Sequence, residues 1–259
     1  MGKLLLFNLG IILVIILVLF ICKKYVKNEK SKSRALLISS IVTILVHYSS
    51  FLYYCLIGDS LVVTYLKQNP NLILPIYPCN VVMWSALIYG VLKNRDSKIS
   101  LLIGDYLFWF GLFSTLIGMF ANVDFIMNPT LKDYEVTKSI LAHATLLFNV
   151  LLIYVFGYIK VDFLKNMKHM LISICIMFII GLYCNLVFMV LVSKESAYEV
   201  NSMFIIHSPF AGAPFLIYPV IAGIAIVLYG ILFTVLDIVS KGVEERWFHK
   251  LRIFRRIKQ

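Results

Sequence analysis

Charge is scarce in this chain. Only 14% of the 259 residues are Asp, Glu, Lys or Arg, and just 13 of them are acidic. A soluble domain of this length needs far more, so a water-facing fold is excluded. Cysteine is sparse and unpatterned. Cys22, Cys55, Cys79, Cys175 and Cys184 form no CxxC pair and no His/Cys cluster with zinc spacing, which argues against a disulfide framework and a zinc finger. All five fall in or at the ends of apolar segments, where cysteine acts as a small hydrophobe. Paired carboxylates within apolar segments are also missing, which disfavours a proton-driven pump. There is no low-complexity tract and no clear internal repeat.

Apolar length is what the chain has. Hydrophobic residues make up 61% and aromatics 14%, and the mean hydropathy is +0.92. Seven runs reach the roughly 20 residues that a bilayer crossing needs: 4–22, 35–57, 71–92, 99–122, 138–159, 169–193 and 214–237. The first run is too long for a typical signal peptide and no small-residue cleavage site follows it, so it reads as a retained span. The expected fold is therefore all-α. It is a polytopic membrane helix bundle of seven transmembrane helices, with residues 1–240 as one membrane domain and 241–259 as a basic amphipathic cytoplasmic tail.

The net charge of +11 reads as topology rather than as a nucleic-acid surface, because the cations sit in short linkers and the tail. Nineteen of the 24 Lys and Arg residues fall on one side of the seven-span scheme. The positive-inside rule then puts the N-terminus outside and the C-terminus in the cytoplasm, in a multi-pass protein of the cell membrane. In the tail, Trp247, Phe248, Leu251 and Phe254 share roughly one helical face and basic residues occupy much of the rest. That pattern suits a helix lying on the anionic lipids of the inner leaflet, and equally a plain topology anchor.

Ionisable and amide groups inside spans carry the functional candidates. They are His47, Cys79, Asp105 and His143, with Asn80, Asn149 and Asn185 behind them. A buried Asn is most simply a bond between helices. Asp105 sits a few residues in from the cytoplasmic side, where pairing with a lysine accounts for it. His47, Cys79 and His143 fall in one layer of the outer half at helical rise. Zinc would need three ligands and an open position. The last span has no histidine and Asp105 lies at another depth, so no metal and no cofactor is expected.

The third span opens on "ILPIYPCNVVMW", residues 73–84. Pro78 lacks an N–H and suits the first helical position, which makes Cys79 the second and Asn80 the third. A thiol in a first turn is biased toward thiolate. The unpaired N–H groups of that turn are an oxyanion site in waiting. His143 on another span is a candidate base for it. Ser139 lies one turn above His143 on the same face and is placed to orient ring or substrate. A proline kink with a packing cysteine fits the same residues.

Leu74-Pro75-Ile76-Tyr77-Pro78-Cys79, His143 in "SILAHATLLFN" and Asn128-Pro129 together resemble the YwaF family of bacterial multi-span proteins. That family is related to a eukaryotic transmembrane acyltransferase of ether-phospholipid remodelling. The resemblance implies a cysteine nucleophile at Cys79 and a histidine base at His143. The bacterial pattern has a histidine where Tyr77 stands, and a Trp-rich segment where this chain reads Gly212-Ala213-Pro214-Phe215. The implied activity is a membrane thiol acyltransferase acting on phospholipid or lysophospholipid. Asn80, Tyr77, His47 and Ser139 would support or orient substrate, and His207 would stand in a lid or an ordered connector. The alternative is a non-enzymatic lipid- or small-molecule-binding or transport component.

Overall fold

The computed structural model describes residues 2–56, 70–120, 130–209 and 212–250, and these contain helices and no strand. Leu251 and Phe254 of the tail, and Asn128-Pro129, lie outside the described residues. The chain divides into two compact units, Met1–Tyr158 and Ile159–Gln259.

The first unit is built from α1 (Gly2–Tyr25), α2 (Glu29–Leu56), α3 (Pro78–Val91), α4 (Lys98–Asp105), a π turn (Tyr106–Phe110), α5 (Gly111–Phe120) and α6 (Tyr134–Val155). The second has α7 (Phe163–Leu191), α8 (Lys194–Val200), α9 (Tyr218–Ser240) and α10 (Trp247–Lys250). Among the described residues six helices are long and apolar enough to cross a membrane: α1, α2, the continuous Lys98–Phe120 stretch, α6, α7 and α9. The remaining expected span contains only the 14-residue helix α3. At 1.5 Å per residue that is about 21 Å, short of a hydrocarbon core of about 30 Å.

Helix starts differ from the hydropathy boundaries because polar caps extend the helices beyond their apolar runs. Asn28 accepts the Ser31 N–H at 2.8 Å, so α2 begins at Glu29, six residues before the expected span. Asp133 accepts from Glu135 and Val136 and starts α6 at Tyr134. Asp162 accepts the Lys165 N–H and starts α7 at Phe163. Each is a short oxygen-bearing side chain that satisfies first-turn donors.

Lipid offers little hydrophobic drive for helix association, so close packing and interhelical hydrogen bonds hold such bundles. In the first unit α6 packs against α1, α2, α3 and α5, and α2 also packs on α3. Small residues set these approaches. A Cβ on Gly90 would meet the Leu37 backbone at 3.0 Å. One on Gly111 would press on Val150 at 2.8 Å and Val82 at 3.0 Å. Asn149 bridges α6 to α2: Ser39 Oγ donates to its Oδ1 at 2.5 Å. Its Nδ2 donates to Thr43 Oγ1 at 2.7 Å and to Ser39 O at 3.2 Å. Asn8 on α1 donates to Met119 O of α5 at 2.7 Å. At the opposite end of α3, Arg95 donates to Tyr89 O and lies over the Tyr89 ring.

In the second unit α7 packs on α8 and α9. The α8–α9 connector is held by two amides. Asn185 Oδ1 accepts the Ser202 N–H at 2.8 Å and its Nδ2 donates to Ser202 O at 3.2 Å. Asn201 has φ 43°, in the left-handed region that asparagine tolerates best after glycine. Its Oδ1 accepts from the Ile206 and His207 N–H groups, and its Nδ2 donates to His207 O. Gly181 gives this loop room, since a Cβ there would lie 2.6 Å from Ile205 Cδ1.

Candidate functional site

The stretch before α3 is not helical. Pro70–Leu72 forms one 3-10 turn. Ile73 and Leu74 then donate back to Pro70 O at 3.0 Å, and Ile76 donates to Leu74 O at 2.9 Å. Pro70, Leu72 and Ile76 are buried. Irregular backbone at membrane depth is tolerated only where protein or a cavity covers it; here the protein covers Pro70, Leu72 and Ile76, while Ile73 and Tyr77 are exposed. The helical rise from Asn71 to Cys79 that put Cys79 level with the two histidines therefore does not apply, because the chain turns back on itself first.

The helix begins where the prolines indicate. Pro78 is the first residue of α3, after Tyr77 in extended conformation (φ −115°, ψ 154°). Asn80 Oδ1 reaches back to accept the Tyr77 N–H at 3.1 Å, the reciprocal half of a capping box. Cys79, the second residue of α3, is half-buried. In this turn the Asn80 N–H donates to Tyr77 O at 3.0 Å and the Val81 N–H to the same oxygen at 3.4 Å, which leaves the Cys79 N–H as the open first-turn donor.

His143 stands on α6. Its Nδ1 lies 2.8 Å from Ser139 O. A carbonyl only accepts, so Nδ1 carries the hydrogen and Nε2 keeps the lone pair that a base uses. Ser139 thus serves the ring through its backbone oxygen. The other edge of the ring, Cδ2 and Nε2, fills the space that a Cβ would occupy on Gly118 of α5. Gly118 is a site residue that sequence reasoning did not single out; nothing in the span distinguished it from a lipid-facing glycine.

His47 is 8% exposed on α2. Its Nε2 donates to Asn71 O at 3.4 Å, and its ring meets Tyr48 edge to face. It ties α2 to the irregular segment before α3 and is near enough to His143, Lys138 and Glu135 to interact with them electrostatically. Lys138 pairs with Glu135 at 2.9 Å. Close by, an open groove of about 320 Å³ between α2 and α6 is lined by Val42, Leu45, Val46, Leu141, Tyr134 and Lys138, among others.

The fold therefore packs the helix of Cys79 against that of His143. Among the described residues no hydrogen bond joins the thiol to the ring. Asp105 is buried and acts electrostatically on Tyr89. Asn149 and Asn185 are the structural bonds expected of membrane amides. His207 belongs to the second unit. Its ring nitrogens lie 3.0 Å from Ser208 O and from Tyr198 O, in the loop that Asn201 ties. Among the described residues no three His, Cys, Asp or Glu side chains are grouped to hold a metal ion.

No curated protein and no solved structure matches the chain. The family model described as the TMEM164 family matches residues 2–237. With six apolar helices long enough to cross a bilayer among the described residues, that match covers nearly the whole of a multi-pass integral membrane protein. The chain belongs to the TMEM164 family.

Proposed function

We propose that this protein is a membrane-embedded thiol acyltransferase acting on phospholipid acyl chains, with Cys79 as nucleophile and His143 as base. The reading includes seven crossings, with α3 and its lead-in as the third, the N-terminus outside and the C-terminus in the cytoplasm. It also includes kinship with the bacterial YwaF proteins, a single membrane domain over residues 1–240, and a tail resting on anionic lipid. One observation carries it: Cys79 occupies the second position of α3, and that helix packs against the helix of His143. The Cys79 N–H at this helix start is a donor for an acyl oxyanion.

The chemistry is two transfers. His143 Nε2 takes the thiol proton, and the sulfur attacks the ester carbonyl of a phospholipid. The C–O bond breaks, the acyl group moves to sulfur, and the leaving lysophospholipid oxygen takes the proton from His143. A lysophospholipid hydroxyl then gives its proton to Nε2 and attacks the thioester, returning acyl to oxygen and the proton to the thiol. Asn80 holds the turn, Ser139 the ring, and His47 the segment that carries Tyr77. His207 is assigned to the outer connector as a candidate lid.

The groove beside Lys138 favours a second reading, in which the protein binds a lipid without chemistry. Reconstituted protein supplied with labelled donor phospholipid separates the two. Acyl transfer should fall on the order of 10³-fold or more in Cys79→Ala and in His143→Ala. Intact-mass measurement should find acyl thioester on the wild type alone. Retention of wild-type acyl composition by both variants, with no acyl mass on the wild-type protein, rules out the enzyme and leaves the binding reading.

A further inference from the structure

Three buried hydrogen-bond donors stand without a partner at one end of the second unit. Asn166, in the first turn of α7, is 1% exposed. Its Oδ1 accepts the Asp162 N–H at 2.7 Å, while its Nδ2 is buried with no partner. Trp247 stacks on Phe163, one turn before Asn166, with ring centroids 4.2 Å apart and planes 15° from parallel. The Trp247 backbone N–H donates to Asp237 Oδ2 at 2.8 Å, but its indole Nε1 is buried and unpaired. The neighbouring Arg246 also has a buried Nε without a partner, and no carboxylate pairs with its guanidinium among the described residues. The indole stack and the Asp237 bond thus bring two of these donors to the α7 turn that carries the third.

The two aspartates at this end are already engaged, and Glu244 and Glu245 are exposed. Asp237, 0% exposed, accepts from Lys241 at 2.6 Å as well as from Trp247. Asp162 lies 3.5 Å from Lys241 and caps Lys165. Lys241 therefore answers both aspartates, and Arg246 has no ion pair among the described residues, although Glu244 and Glu245 precede it. A buried donor without an acceptor is costly to a fold, so two neutral N–H groups and a guanidinium call for one acceptor with several oxygens. The N-terminus of α7 adds partial positive charge in the same place.

We infer that Asn166 Nδ2, Trp247 Nε1 and the Arg246 guanidinium form a binding site for one phosphate group, that of an anionic phospholipid in the leaflet facing the lysine-rich loops. Trp247 suits this position, since indoles with one polar edge gather at the headgroup layer. The site differs from diffuse attraction of a basic tail to a charged surface, because two of its three donors are neutral. It stands apart from the acyl chemistry of Cys79, and either can fail without the other.

The test uses the purified full chain in neutral detergent and native mass spectrometry at fixed ionic strength. Three probes are titrated: dioctanoyl phosphatidic acid, dioctanoylglycerol with the same chains and no phosphate, and inorganic phosphate as competitor. Wild type should retain one phosphatidic acid and no dioctanoylglycerol. Arg246→Gln should weaken retention about tenfold or more, as loss of a charge-assisted contact does. Asn166→Leu and Trp247→Phe should each weaken it by about threefold to tenfold. Trp247→Phe keeps the ring stack, so it guards against loss of fold, and a thermal unfolding midpoint near wild type verifies that. Displacement of the lipid by millimolar phosphate supports the site with free phosphate as an accepted source. Persistence of the lipid supports the headgroup as its source. Equal retention of dioctanoylglycerol overturns the proposal. So does wild-type binding by Asn166→Leu and Trp247→Phe when Arg246→Gln alone is impaired.

Discussion

Replacing Gly118 with alanine puts a methyl carbon 2.8 Å from His143 Cγ and closer still to Cδ2 and Nε2. Ordinary carbon contacts begin at about 3.5 Å, so Cγ has to retreat by about 0.7 Å and the far edge of the ring by more than about 1 Å. The ring cannot pivot freely, because Nδ1 is bound to Ser139 O at 2.8 Å. The α5–α6 contact must open or that bond must break. Overpacking of this kind costs about 1–3 kcal/mol, and for the proposed acyl transfer a displacement of the base by about 1 Å costs on the order of 100-fold in rate. Gly223→Ala on α9 is the matched control, since a Cβ there meets nothing within 4 Å. Two assays read the outcome. Unfolding in mixed micelles with increasing dodecyl sulfate should shift to lower denaturant for Gly118→Ala and not for Gly223→Ala. Diethyl pyrocarbonate should modify His143 at a changed rate in the first variant alone. If Gly118→Ala unfolds at the wild-type midpoint with unchanged His143 reactivity, the reasoning that ties α5 to the ring is refuted.

Three further outcomes are expected. Asn149→Leu removes the bonds to Ser39 and Thr43 that join α6 to α2. At about 0.6 kcal/mol for an average membrane hydrogen bond, it should destabilise the first unit by about 1–2 kcal/mol in the same unfolding assay. Asn80→Ala removes the acceptor of the Tyr77 N–H and should cost about 1 kcal/mol; Asn80→Asp, which keeps an oxygen there, should recover most of it. Asn201→Gly keeps the φ of 43° without strain but leaves the Ile206 and His207 N–H groups unpaired, so their amide hydrogen exchange should rise at least about tenfold.

Hydropathy and proline chemistry carried much of this architecture. Pro78 marked the start of α3, and with it the helical positions of Cys79 and Asn80, because a missing N–H has a fixed place in a helix. Asn149 and Asn185 could be read as structural amides, since a lone amide in lipid has few other uses. The contact of Gly118 with His143 was invisible, because it depends on which faces of α5 and α6 meet. The path of residues 70–77 was hidden for another reason. Pro78 as the first helical position leaves the entering residues outside the helix, but the turn at Pro70–Leu72 depends on hydrogen bonds that an apolar run does not specify. The unpaired donors of Asn166, Arg246 and Trp247 come from residues some 80 positions apart, brought to one end of α7 by the return of α9. The two-unit division likewise leaves no trace in hydropathy, which sees only that both halves are greasy.

The π turn at Tyr106–Phe110 makes the register of α5 a matter of counting. A π turn holds one residue more than the α-helical turn it replaces, so every position after it is rotated by roughly 100° relative to an uninterrupted helix. Gly111, Thr115 and Gly118 reach the α6 side on that rotated phase. Deleting one residue between 106 and 110 would leave each side chain of α5 intact and yet aim the wrong ones at His143. The span is thus more vulnerable to a shift in spacing than to most single replacements. In an alignment of TMEM164 sequences the position to watch is a one-residue gap there, whose presence would mark a chain with a differently furnished ring pocket.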